Sequence, residues 1–156
     1  MKFIRIEGDD FVFQIGPREK LLLFQVLRLY PLIPSSYFRL SKTADATEVQ
    51  ADQHLLEEAL AEQKKENRKQ LEEMLREPGR FAAGQNGLRF SLRAPQMEWL
   101  LQVLNDIRVG SWLILGSPDQ AGKPIVLNEQ TAPYFWSMEM SGYFQSALLE
   151  ALNEQP

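Results

Sequence analysis

Apolar and polar residues alternate at the start of the chain. Phe3, Ile4 and Ile6 precede Gly8-Asp9-Asp10, and Phe11, Val12, Phe13 and Ile15 follow. Two β-rich runs around a short Gly/Asp turn predict a hairpin. With Ile4, Ile6, Phe11, Phe13 and Ile15 on one face, Phe3 and Val12 fall on the other, and the remaining alternate positions, Lys2, Arg5, Glu7, Asp10 and Gln14, are polar. One face should therefore be buried. A lone hairpin is marginal, so a further strand or a helix must lie against it. Leu88, Phe90 and Leu92 alternate with Arg89 and Ser91 and supply that strand. Asn86-Gly87 predicts a tight turn between it and the run from Arg80 to Ala83.

The remaining pattern is helical. Gly16-Pro17 opens a helix, because proline lacks an N–H that would be unpaired there anyway. Leu21 to Leu29 is dense enough in apolar residues to predict burial on more than one face, and Pro31 and Pro34 end the segment. A long helix is expected from about Glu48 to Glu77, with Thr47 at its start. Leu55, Leu56, Ala59 and Leu60 make a stripe that Leu71, Met74 and Leu75 resume in phase, about three turns later. The stretch AEQKKENRKQ between them holds no large apolar residue. It predicts a solvated middle between two docked ends, with Arg68–Glu72 and Lys69–Glu73 paired across a turn; a break near Asn67 is the alternative. Pro78-Gly79 closes this helix, and Pro95 opens the next, which runs to Ser117-Pro118-Asp119. Val126 falls in a short extended piece. Thr131 and Pro133 begin the last helix, which carries Tyr134, Phe135, Trp136, Met138, Met140, Tyr143, Phe144, Leu148, Leu149 and Leu152. The order ββ-α-α-ββ-α-α predicts an α+β fold. A small antiparallel sheet (the N-terminal hairpin plus a strand near 88–92) is covered by about four helices, mainly helical, in a single domain over 1–156.

The segment WLLQVLNDIRVGSWLILG, from Trp99 to Gly116, places polar groups in the most apolar part of the chain. At 100° per residue, Asn105 lies on the wet side of the helix. Asp106 lies between Val103 and Gly110 on an apolar face, where a carboxylate must be paired or protonated. Arg108 is about 200° further round and is not its intrahelical partner. Gly110 costs a helix about 1 kcal/mol relative to alanine, which fits a neighbour crossing closely; the aromatic last helix is the expected neighbour. Asn105, Asp106 and Arg108 are thus candidates for a structural or interaction polar clamp. A pocket touching at least two of them would favour a ligand or enzyme site. Trp112, Tyr134, Phe135, Trp136 and Tyr143 are candidate interface residues, although a chain of this length needs most of its aromatic residues for the core.

Composition narrows the chemistry. The chain has 156 residues, 44% hydrophobic and 24% charged, which fits one globular domain with a sizeable core. It has no cysteine, which removes disulfides, thiolate metal sites and thiol nucleophiles. Neither a leader-like apolar run nor a membrane-length one is present, so a cytoplasmic protein is expected. The net charge of −4 is uneven. Residues 1–42 carry seven Lys/Arg against four Asp/Glu, and the remainder ten against seventeen. The acidic majority argues against nucleic acid as a partner. Lys2, Arg5, Arg18, Lys20, Arg28, Arg39 and Lys42 would have to share one face to reverse that. His54, with Glu57 and Glu58 one turn onward, reads as a surface histidine, since no second imidazole or thiol is placed to complete a metal site. No nucleophile elbow surrounds any serine. Gly116 to Pro124 resembles a phosphate loop but has the wrong glycine spacing and a proline in place of the Ser/Thr. No catalytic residue, metal or cofactor is assigned.

Trp99, Leu100, Leu104, Asn105, Asp106 and Arg108, with Gln145, Leu148, Leu149, Glu150, Ala151 and Leu152, resemble an uncharacterised bacterial family of unknown function, often encoded beside a Clp protease adaptor gene. The resemblance covers about a third of the chain. It implies a shared architecture and a link to regulated proteolysis by gene neighbourhood alone, with no activity. The long charged segment from 43 to 77 has no counterpart in it. The expected function is a non-enzymatic intracellular interaction or regulatory domain acting as a homodimer, with a protein partner or self-association and no membrane. The alternative is a small-ligand-binding protein or enzyme with a polar site around Asp106 and Arg108.

Overall fold

Four phenylalanines, one from each strand, form a row across the sheet. In a computed structural model describing residues 1–37, 46–118, 122 and 124–154, strands β1 (Lys2–Glu7), β2 (Asp10–Ile15), β3 (Phe81–Gly84) and β4 (Gly87–Arg93) pair antiparallel in the order β1-β2-β4-β3. The register sets Phe3, Phe13, Phe90 and Phe81 side by side. Ring centroids are 5.8 Å apart for Phe3–Phe13, 6.4 Å for Phe13–Phe90 and 4.7 Å for the stacked Phe90–Phe81 pair. Such pairs each add about 0.5–1.5 kcal/mol beyond the area they bury. Phe11–Leu92 and Ile15–Leu88 extend the same face on either side.

The face assignment in β1 differs from the alternation. Two β1 residues, Ile4 and Arg5, are accommodated where β2 advances by one, so the register shifts between Phe3 and Arg5. Side chains alternate with period two, and an extra residue reverses the alternation. Phe3 therefore joins the core face, while Ile4 is 39% exposed. Ile6 faces the same way as Phe11, as expected, but stays 38% exposed near the hairpin end. The second turn also moves by one residue. Gly84 pairs with Gly87, which leaves Gln85-Asn86 in the turn. Gly87 has φ +129°, and a Cβ there would lie 3.0 Å from the Ile15 carbonyl oxygen.

Four described helices complete an α+β, mainly helical fold: α1 (Pro17–Leu27), α2 (Ala46–Arg76), α3 (Ala94–Ile114) and α4 (Ala132–Asn153). Their buried residues, including Leu23, Leu27, Met97, Leu104, Ile107, Phe144 and Leu148, join one core with Phe11, Phe13, Phe90 and Leu92. In α1 burial is narrower than its apolar density suggests, because Leu21 is exposed. Val126 lies outside any strand. Helix α2 runs unbroken through Asn67. Its middle is not simply solvated. Lys64 and Asn67 fall on the inward stripe between Leu60 and Leu71, and they dock against the segment from Tyr30 to Ile33. The expected Arg68–Glu72 pair forms at 3.5 Å.

Helices α3 and α4 form the most extensive helix pair. The buried face of α4 is Ser137, Ser141, Phe144, Ala147, Leu148 and Ala151. Most of its large aromatic residues are therefore outside the core: Tyr134, Phe135 and Trp136 are half-buried and Tyr143 is exposed. Gly110 also has a different neighbour from the one expected. A Cβ on Gly110 would lie 2.4 Å from Leu32 Cβ, 3.0 Å from Leu32 C and 3.1 Å from Ile33 N. The close crossing is with the Leu32–Ile33 backbone and not with α4. Gly110→Ala should therefore destabilise the protein by about 1–3 kcal/mol in urea unfolding, although helix propensity alone predicts a gain of about 1 kcal/mol.

Candidate functional site

The polar residues of α3 separate into two sites on opposite sides of the helix. Asp106 is buried at 8% exposure. Its Oδ1 accepts hydrogen bonds from the N–H groups of Leu32 at 2.6 Å and Ile33 at 3.2 Å. Its Oδ2 lies 3.5 Å from Lys64 Nζ, and the Lys64 ammonium also donates to the Ile33 carbonyl. One turn further along α2, Arg68 Nη1 donates to the Tyr30 carbonyl at 2.6 Å, and Asn67 Nδ2 donates to the Tyr30 hydroxyl at 3.1 Å. Burial raises the Tyr30 pKa; the Asn67 bond opposes this and the Asp106 charge adds to it. The buried carboxylate thus has the partners its position demands, and its chemistry is that of a clamp. Gly110, one turn onward, lets the clamped segment lie directly on α3.

Asn105 and Arg108 are exposed on the other side. They line an open groove of about 990 Å³ between α3 and α4. From α3 it takes Asn105, Arg108, Val109 and Trp112, which recur at i, i+3, i+4 and i+7. From α4 it takes Phe135, Met138, Glu139, Gly142, Tyr143 and Ser146, and Ile125 adds an apolar wall. Arg108 lies across Gly142, with Cζ 3.8 Å from the place of a Cβ, and its Nη1 is 3.5 Å from Gln145 Oε1. Of the candidate interface residues, Trp112, Phe135 and Tyr143 meet here. Tyr134 and Trp136 do not line the groove, and Trp136 packs against the core.

Tyr143 joins the groove to a charged cluster. Its hydroxyl donates to Glu19 Oε1 at 2.5 Å, the Met1 ammonium donates to both groups, and the Gly16 N–H donates to Glu19 Oε2 at 2.8 Å. Burial alone would raise the Glu19 pKa. The bonds from the Met1 ammonium, Tyr143 and Gly16 outweigh it and bring the carboxyl down to about 2. Burial, together with the neighbouring Glu19, pushes Tyr143 up to about 12. Sequence reasoning missed this cluster, because its members lie far apart in the chain and no spacing links them.

A second groove of about 760 Å³, also unforeseen, lies between the end of α2 and the start of α3, with Met74, Pro78, Pro95 and Trp99 in its walls. The His54 side chain is 72% exposed, 3.7 Å from Glu58, as a surface histidine. The basic residues do not share one face. Lys2 and Arg5 pair with Gln14 and Val12 on the side of the sheet away from the phenylalanine row, whereas Lys20 Nζ lies 4.5 Å from the Phe81 ring within that row. Arg39 and Lys42 lie outside the described residues, as do four residues of the Gly116–Pro124 loop. Among the described residues, no group of three His, Asp or Glu side chains is placed to hold a metal ion, and no helix is long and apolar enough to cross a membrane. Comparison with protein-family models, with curated proteins and with solved structures finds no match.

Asp106→Asn keeps the shape of the side chain but leaves the Lys64 ammonium, only 12% exposed, without its counter-charge. A loss of about 1–3 kcal/mol is expected in urea unfolding. Lys64→Met added to it should cost less than the sum of the two single changes, the signature of a coupled pair. Glu19, with its folded pKa below its unfolded one, contributes stability that is present above about pH 4.5 and is lost as pH falls toward 2. The stability gap between wild type and Glu19→Gln should therefore be flat above pH 5 and close through that window, read from unfolding curves at stepped pH.

Proposed function

We propose that this chain is a non-enzymatic, intracellular interaction domain that works through the groove between α3 and α4. The observation that carries the reading is where the large side chains lie. The buried face of α4 is mostly serine and alanine, while Phe135, Met138 and Tyr143 stand with Trp112 around an open groove. Aromatic residues, methionine and arginine are the types enriched where proteins meet, and contiguous apolar surface of this kind marks such sites. The separation of Asp106 from Arg108 weighs against a single polar active site, because Asp106 is engaged on the far side of α3. A ligand site keeps one observation in its favour: Asn105 and Arg108 both reach the groove, where an anionic small molecule would meet a guanidinium and an amide. The resemblance to a family encoded beside a protease adaptor adds a link to regulated proteolysis to the proposal, but no residue-level role.

If these side chains serve contact and not the fold, Phe135→Asp and Met138→Asp should both fold cooperatively. Their melting temperatures should stay within about 4 °C of wild type in thermal unfolding followed by circular dichroism. Loss of the cooperative transition in either variant would return these residues to the core and end the reading.

A further inference from the structure

We infer that the occupant of the α3–α4 groove is a second copy of this chain, related by a two-fold axis that brings Arg108 of each copy to Glu139 of the other. The inference rests on the interaction reading above and names its partner. Among the described residues, Arg108 and Glu139 are the only charged ones lining the groove. Arg108 lies over Gly142, and Glu139 is exposed on α4 three residues earlier, about one turn away. Among the described residues neither has an ion-pair partner within 4 Å.

An interface with two-fold symmetry is self-complementary: every contact between residue i and residue j occurs twice, with the copies exchanged. A patch with one cation and one anion a turn apart meets this condition. An axis passing between the two positions sets each guanidinium against the other copy's carboxylate. The rest of the described lining is uncharged, so these residues carry one charge of each sign and bring no net like-charge repulsion between two copies, although each copy carries −4 overall. A partner of strong single-sign charge would find only one of the two groups complementary. Beside the ion pairs, Trp112, Phe135 and Met138 of the same groove supply apolar surface, and the paired charges fix register.

The test is the mass in solution of wild type, Arg108→Glu, Glu139→Arg and the double charge reversal, by sedimentation velocity from about 1 to 100 μM. Wild type should dimerise in this range. Each single reversal creates two like-charge contacts and should weaken the dimer at least about tenfold, while the double variant recreates both pairs and should return close to wild type. A wild type that stays monomeric at the highest concentration overturns the inference. So does a double variant no better than the single ones. In either case the interaction reading survives as long as Phe135→Asp and Met138→Asp fold normally. A dimer unaffected by the single reversals and by Met138→Asp would lie on another face and would end both.

Discussion

The fold depends on one buried carboxylate. Asp106 gathers two backbone N–H groups and one ammonium from two separate segments, and so draws the Tyr30–Ile33 connection and the middle of α2 onto α3. Without those bonds the connection would bury unpaired amides, and a buried donor without a partner costs more than a made hydrogen bond returns. The clamp also explains how a helix as polar as α2 holds its place. Its apolar anchorage in the core is confined to Leu71, Met74 and Leu75 near its C-terminal end, and the next inward positions, Lys64 and Asn67, dock through hydrogen bonds.

Helix α3 does two different things on two sides. The side bearing Asp106 and Gly110 receives the backbone of another segment at the closest approach a helix allows. The side bearing Asn105, Arg108, Val109 and Trp112 borders the groove with α4. The contacts on the first side hold α3, and with it one wall of the groove, against the rest of the fold. A groove whose walls are positioned by the fold loses less conformational entropy when it is filled than one that must first be ordered.

Much of this was legible in the sequence, for definite reasons. The placement of Asp106 on an apolar face required a partner, and the angle around the helix separated it from Arg108 and Asn105. The partner's identity was not legible, because backbone amides of a connection carry no residue signature. The same blindness assigned the Gly110 crossing to α4. In β1 the alternation held only beyond the register shift, at Ile6; before it Phe3 was set on the wrong face, because the shift depends on the pairing strand and periodicity cannot foresee it. The polar docking of α2 did leave a signal. Residues 56, 60, 64, 67, 71 and 74 keep inward spacing, and a lysine and an asparagine on such a stripe point to polar partners beneath. On α4 four serines and alanines share the buried face, a spacing that marks the core side and that the density of aromatic residues concealed.

The phenylalanine row has a consequence for how the chain reaches this structure. Phe3 with Phe13, and Phe90 with Phe81, close within local hairpins, but Phe13 meets Phe90 only when the two hairpins join across the whole of α1 and α2. Hairpins of this kind form in about 1–10 μs, whereas non-local strand pairing must first meet the entropy of closing a long loop. Contact order therefore predicts that the central rung of the sheet closes last. Until it closes, the inner edges of β2 and β4 stand open, and this is the interval in which the chain is most exposed to pairing with the wrong strand.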